Sequence, residues 1–179
     1  IPGDGTTLGQ VGHVDDEARA LRIMMLNPLT FGKRYNLTGS DYFSDEGYVD
    51  TIADVLGVEP RKISVPSSTM DALWDGKIEL GEPDEDQRGA GGGRWIIQVS
   101  QLVQRSAPNI HRWNQNVVFS IDRLRIDIDW EPEYTFTSAV EQTYEWFLSK
   151  GLDKTLKFDF SLEDELLTQI GQASGMETP

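Results

Sequence analysis

The sequence predicts an α/β fold, and three observations predict it. Strand signals run into helix signals more than once. Each helix is short, amphipathic and marked by a capping residue. Residues 119–147, FSIDRLRIDIDWEPEYTFTSAVEQTYEWF, join two such helices through one aromatic turn that Pro132 marks. Everything else in the chain is organised around that stretch.

Taken in order, residues 1–16 (IPGDGTTLGQVGHVDD) read as a glycine-rich turn, a short strand over 10–14 and a helix start. Asp15 or Asp16 caps this helix, and Glu17 sits in the first turn, where negative charge suits the macrodipole. Ala18, Leu21 and Met25 form its buried stripe, and Asn27-Pro28 ends it. Residues 35–39 (YNLTG) make a short strand leaving toward a turn. Ser44 opens a helix with Val49, Ile52, Ala53 and Leu56 on one face and Gly57 at its C-terminal end. Residues 62–65 read as another strand, Pro66 breaks it, and Ser67 or Ser68 caps a helix carrying Met70, Leu73 and Trp74.

Residues 76–93 (GKIELGEPDEDQRGAGGG), rich in glycine and acid with little to bury, read mostly as a mobile loop. Apolar character resumes over 95–103, where periodicity does not decide between strand and helix. In the organising stretch, Ser120 caps a helix with Ile121, Leu124 and Ile128 at i, i+3 and i+7, which stops near Trp130. Ser138, three residues before Glu141, opens the second helix, with Val140, Tyr144, Phe147 and Leu148 on one face. Trp130, Tyr134 and Phe136 plug the joint, and Trp130 and Trp146 fall on buried sides. Leu156, Phe158 and Phe160 alternate as in a terminal strand. Ser161 and Asp164 have capping-box spacing before Leu166, Leu167 and Ile170, and the tail from Gly171 is expected to fray.

Composition excludes several classes. A chain of 179 residues holds one domain with a proper core. Sixteen Lys and Arg against thirty Asp and Glu leave a net charge of −14, which repels phosphate backbones and anionic membranes and argues against nucleic acid as a partner. No apolar run is long enough to span a membrane, and the N-terminus lacks the pattern of a signal peptide. The absence of cysteine fits a reducing compartment, so a soluble, cytoplasmic protein is expected. The first residues, Ile1-Pro2-Gly3, have no Met and read as the middle of a motif, so a fragment is expected.

The motifs carry a resemblance. Arg123, Arg125, Ile128, Trp130, Pro132, Tyr134, Phe136, Val140, Thr143 and Trp146 fill the C-terminal signature of the extended short-chain dehydrogenase/reductases, the NAD-dependent epimerase/dehydratase family, with Asp129 in place of a usual Gly. Pro2, Gly3, Gly5, His13, Val14, Asp16, Ala18 and Ala20 resemble its "PG-x-G … (H/Y)-V-x-D-x-A-x-A" segment, and residues 35–39 its "Y-N-(I/L)-(G/T)-G" strand. LGQVGHVDDEARA, RYNLTG, QRSAPNIHRWNQNVVFSIDRLR and KFDFSLEDELL together look like the branch that holds chloroplast stem-loop RNA-binding proteins and their bacterial relatives. The shared pattern covers roughly 110 of the 179 residues.

The resemblance implies a Rossmann-type fold of which this chain is the C-terminal, substrate-binding part, with the N-terminal nucleotide-binding half absent. Residues 1–75 then pack on that missing half and start the substrate subdomain. Residues 76–93 are the loop, 94–171 the C-terminal substrate-binding subdomain and 172–179 the tail. It implies NAD or NADP as cofactor of the full-length protein, none bound by this chain alone, and a sugar or nucleotide-sugar substrate.

The family works through a G-x-x-G-x-x-G turn and a Tyr-x-x-x-Lys pair, and neither is present: no tyrosine has a lysine four residues on. No catalytic residue is carried over. Gly3, Gly5 and Gly9 precede a strand rather than follow one and read as a turn; Gly89 to Gly93 follow an acidic run. His13 beside Asp15 and Asp16 has the makings of a metal pair or acid/base dyad, but a strand-end histidine beside helix-capping carboxylates is the better reading. Asp127, Asp129, Glu131 and Glu133 alternate like a calcium loop, yet Pro132 holds the glycine position. The candidate substrate contacts are Gln10, His13, Arg34, Trp113 and Arg123, by hydrogen bonding, stacking or holding an anion. The family's phosphate-holding Arg before the (H/Y)-V-x-D stretch has no counterpart here. Without the nucleotide-binding half, apolar faces are exposed, and a homodimer or poor solubility is expected. The alternatives are an RNA-binding module and a non-catalytic scaffold that keeps the fold.

Overall fold

The computed structural model describes residues 1–78, 80, 102 and 115–174. Its named elements are β1 (Leu8–Gly9), α1 (Val14–Met25), β2 (Phe43–Ser44), α2 (Asp45–Leu56), α3 (Ser67–Trp74), α4 (Asp122–Ile128), α5 (Phe136–Ser149), α6 (Leu152–Thr155) and α7 (Ser161–Ser174), with a 3-10 turn at Pro28–Thr30. Strands β1 and β2 pair antiparallel, Leu8 with Ser44 and Gly9 with Phe43.

The chain forms two compact units that interleave in sequence. One comprises Ile1–Gly5, Lys62–Asn114 and Leu156–Pro179; the other Thr6–Arg61 and Gln115–Thr155. In the first, Pro2 bridges Val65 in parallel, with Gly3 N–H donating to the Val65 carbonyl at 2.7 Å. Val65, Met70, Leu73, Leu80, Leu102 and Leu166 form its core, against which Ile78, Leu162 and Ile170 pack. In the second, Ala20, Ile121, Leu124 and Trp130 form the core, flanked by Ile23, Met24, Tyr35, Leu37 and Ile128.

Local chemistry explains the helix ends. Ser44 Oγ accepts Gly47 N–H at 3.0 Å to start α2, and Gly57 closes it in the left-handed region (φ 66), with Val58 N–H returning to the Ala53 carbonyl. Helix α4 ends on Asp129, the one non-glycine residue with positive φ (52) among those described, a conformation that glycine adopts freely. Helix α5 opens with a reciprocal capping box, in which Thr135 Oγ1 accepts Ser138 N–H and Ser138 Oγ accepts Thr135 N–H. Asp41 satisfies a third free donor, the Phe136 amide, at 2.7 Å.

Several expectations need correction. The cap of α5 is Thr135, three residues before Ser138. The cap of α1 is His13, so Asp15 and Asp16 already lie inside the helix. Helix α3 starts after Pro66 with no side-chain cap. The stripe of α1 is rotated: Asp16, Ala20, Ile23 and Met24 face inward, while Leu21 and Met25 are exposed. Trp146 and Trp74 are more than half exposed rather than buried.

The expected strands over 10–14, 35–39, 62–65 and 156–160 are extended or irregular chain, apart from Val14, which opens α1, and the single bridge at Val65. A strand exists only when a ladder partner takes its amides, and the period-two pattern names no partner. Gly171 still lies within α7. Trp95, His111, Trp113 and the segments 81–101 and 103–114 lie outside the described residues, as does 175–179.

Candidate functional site

The strongest site geometry lies in the second unit, at the N-terminus of α1. His13 is buried, with extended backbone (φ −89, ψ 138), and its Nδ1 accepts Asp15 N–H at 3.3 Å. That amide can only donate, so the imidazole proton sits on Nε2, which faces Gln142 Oε1 at 3.1 Å. The imidazole ring stacks on Tyr134, centroids 3.8 Å apart. Beside it, a cleft of about 840 Å³ runs between the start of α1, α2 and α5; Val11, Val14, Tyr48, Ile52, Phe136 and Phe147 line its walls, and His13, Asp15 and Gln142 bring polar groups to it. This volume is that of a small-molecule site. Phe136 stacks on Phe43 and on Tyr48 at centroid distances of 4.5 and 5.1 Å, and Phe43 meets Tyr48 at a tilt, 5.3 Å away, tying α2 to α5 behind the wall. Burial pushes the Tyr48 phenol up; burial, then the charges of Asp15 and Asp16, do the same to Tyr134.

Below the stacked pair, Asp16 holds the turn between α4 and α5. At 2% exposure its carboxylate accepts Glu133 N–H at 2.9 and 3.0 Å, Tyr134 N–H at 3.0 Å and Arg19 Nη2 at 2.8 Å. Burial pushes this carboxyl up, but the two amides and the guanidinium together outweigh burial and hold it below its ordinary value. Arg19 in turn donates to the Glu131 carbonyl at 2.6 Å, pairs with Glu133 and lies over the Trp130 ring at 5.5 Å. Trp130 is 1% exposed, and its indole N–H has no hydrogen-bond partner among the described residues.

A second polar group gathers on α4. Asp127 Oδ2 receives Lys33 Nζ and the Tyr35 hydroxyl, each at 2.7 Å. Lys33 first and Tyr35 second hold Asp127 below the usual carboxylate range. Desolvation first and then Asp127 push the Tyr35 phenol up to about 12. Arg123 Nη1 donates to the Arg34 carbonyl at 3.0 Å, so Arg34 and Arg123 meet on the exposed rim of this group. Arg125 binds Glu131 through two nitrogens and Asp122 through one, which raises its pKa further.

Four of the five candidate contacts, Gln10, His13, Arg34 and Arg123, are therefore dispersed within this unit. His13 lines the cleft, and Arg34 and Arg123 come together away from it. Gln10 acts as a staple: its Nε2 donates to the Gly39 carbonyl at 2.6 Å and its Oε1 accepts Phe119 N–H at 2.8 Å, so both ends of the amide are occupied by main chain. Trp113 lies outside the described residues. Sequence reasoning missed Asp16 as the acceptor for the Pro132 turn, and Gln142 as the partner of His13. The only available signal was the turn itself, whose amides had to find an acceptor somewhere.

The described residues do not fit a dinucleotide. That ligand needs a strand, a glycine turn and a helix whose N-terminus faces the pyrophosphate. Helix α1 follows a strand through Gly9 and Gly12, but Asp15, Asp16 and Glu17 fill its first turn and repel an anion. A Cβ at Gly12 would come within 2.6 Å of Glu17 Oε1 and 3.1 Å of Thr38 Cα, so this glycine serves close packing of helix and chain. No group of three or more His, Cys, Asp or Glu among the described residues is arranged to hold a metal ion. No helix among them is long and apolar enough to cross a membrane.

No protein-family model matches the chain, and no curated protein matches it in sequence. Solved structures do. UDP-glucuronic acid 4-epimerase from Bacillus cereus, in complex with NAD, matches at TM-score 0.50 and 15% identity over 84% of this chain and 34% of that one. dTDP-glucose 4,6-dehydratase from Bacillus anthracis, also with NAD, matches at TM-score 0.48 and 17% identity over 83% of this chain and 34% of that one. The chain spans about a third of the length of these structures. Its fold is mixed α/β, that of part of a Rossmann-type epimerase/dehydratase structure.

Proposed function

We propose that this chain is the substrate-binding portion of an NAD-dependent epimerase/dehydratase-like protein that acts on a sugar or nucleotide-sugar substrate. The observation that carries the reading is the fold likeness to UDP-glucuronic acid 4-epimerase over 84% of the chain. In it, NAD and the acid/base pair belong to a nucleotide-binding half beyond these residues, because the acidic first turn of α1 suits no pyrophosphate and no Tyr-x-x-x-Lys pair exists. By itself the chain binds substrate and turns nothing over.

Its own residues would then hold and orient the substrate. Arg34 and Arg123 supply exposed positive charge for an anionic group. His13, proton on Nε2, sits at the polar end of the cleft, while Gln10 fixes the backbone beside it. Saturation-transfer NMR of the chain with UDP-glucuronic acid, a panel of other nucleotide sugars and, separately, NAD tests this. Binding of a nucleotide sugar, weakened in Arg34→Ala and Arg123→Ala, is expected, with no NAD signal. Silence across the whole panel, or tight binding of NAD alone, would overturn it.

A further inference from the structure

Helix α5 has 14 residues and none of them is buried, although one side of it is apolar. Phe136, Val140, Thr143 and Phe147, spaced four, three and four residues apart, line the cleft instead of a core, and Tyr144 and Trp146 join them. Tyr48, Ile52 and Leu56 of α2, four residues apart, line the same cleft. It is a recess of about 840 Å³ among elements of one unit rather than an outward face, and its size suits a small organic molecule.

The charge of the walls selects the ligand. Helix α2 carries Asp45, Glu46, Asp50 and Asp54, and α5 carries Glu141 and Glu145; neither helix holds a Lys or an Arg. The first turn of α1 adds Asp15, Asp16 and Glu17. Of the two arginines of α1, Arg19 is held by Asp16, the Glu131 carbonyl and Glu133, and Arg22 lies in the last turn, two turns from the lining residues Val14 and Asp15. Low-dielectric walls focus such a field into the recess. Asp15 lines the cleft with a side chain 60% exposed, and the Tyr134 hydroxyl that it accepts leaves further lone pairs on its carboxylate. The faces of Tyr48, Phe136, Tyr144, Trp146 and Phe147 attract a cation too, so the carboxylate and the rings ask for the same charge.

We propose that the cleft binds an organic cation with an apolar body: a substituted ammonium whose charge lies between Asp15 and the aromatic rings, and whose hydrocarbon part packs on Ile52, Val140 and Phe147. Arg34 and Arg123, which would take the anion of a nucleotide sugar, lie away from the cleft, so the assignment does not rest on the functional reading.

Benzyltrimethylammonium, titrated into the ¹⁵N-labelled full chain and followed by amide and indole NMR shifts, tests it. N,N-dimethylbenzamide serves as a neutral analogue of like size and benzenesulfonate as an anion. The cation is expected to shift Ile52, Val140 and the Trp146 indole saturably, with Kd on the order of 1 mM. The neutral amide should bind roughly tenfold more weakly and the sulfonate not at all. Asp15→Asn and Trp146→Ala, each shown by circular dichroism to keep its helices, should each weaken the cation about fivefold. Arg34→Ala and Arg123→Ala should leave it unchanged, which separates this site from that of the nucleotide sugar. Equal binding of the amide would mark a purely apolar surface, one that another polypeptide covers, and would overturn the proposal. Shifts spread over the acidic surface, no saturable shift at all, or an affinity indifferent to either Asp15→Asn or Trp146→Ala would overturn it as well.

Discussion

Asp16 and Asp127 each gather partners from distant parts of the chain, yet they hold the second unit in different ways. Asp16 is enclosed and accepts two main-chain amides of the Pro132 turn along with Arg19. Asp127 sits nearer the surface and accepts two side chains, Lys33 and Tyr35. Amides locked in a buried turn cannot swing away or find water if their acceptor goes, whereas a lysine at the rim rehydrates at once. The same chemical group is therefore structural in one place and nearly replaceable in the other.

The largest test of that difference is truncation. Asp16→Ala is expected to destabilise the unit by about 3 kcal/mol, leaving two amides and a guanidinium unpaired. That corresponds to a fall in Tm of roughly 6–12 °C for a chain of this size, read by scanning calorimetry. Asp127→Ala should move Tm by only a minor part of this, and equal shifts would break the comparison.

Acid titration sharpens it. Because the Asp16 carboxyl is held below its ordinary 3.8 when folded, the unfolded chain takes up the proton first as pH falls. The stability it contributes is complete above about pH 5, declines through the carboxylate range and is gone below the folded value. Urea midpoints measured down the pH scale should flatten more in Asp16→Asn than in Asp127→Asn.

A smaller effect is expected at the end of α4. Asp129→Gly should raise stability by about 0.5–1 kcal/mol, because glycine adopts φ 52 without the Cβ penalty. A loss in denaturant midpoint would mean that the aspartate side chain does more than tolerate the turn.

The smallest effect lies at high pH. Tyr35, pushed up to about 12 when folded, contributes stability that is complete below about pH 10 and lost as pH rises toward the folded value. Ultraviolet absorbance titration should show a late-ionising phenol near pH 12 that Tyr35→Phe removes.

How much the sequence disclosed varies by element, for physical reasons. Helix α2 was legible at both ends because Ser44 and Gly57 act within a few residues of themselves. Helix α5 was placed correctly but opened at the wrong hydroxyl: Thr135 and Ser138 both suit a cap, and the choice between them belongs to the turn pinned by Asp16 and to Asp41. Helix α1 was found with its phase inverted, since two apolar stripes fit one period and only tertiary packing selects the inner one. The expected strands at 35–39 and 156–160 show that alternation needs a neighbour before it becomes a ladder. In the site, Gln10 and His13 were singled out for chemistry. The partners that occupy them, Phe119, Gly39 and Gln142, lie 29 to 129 residues away, beyond any spacing rule.

The histidine cap of α1 offers a resident spectroscopic probe. The chain has two histidines, and His13 is locked in one tautomer by a main-chain donor on one nitrogen and an amide oxygen beside the other. Long-range ¹⁵N–¹H spectra of its ring therefore report on three things at once: the first turn of α1, the stack on Tyr134 and the reach of Gln142 from α5. A ligand entering the cleft, or a substitution loosening the turn, would alter the nitrogen shift pattern of a single residue before any bulk signal moved.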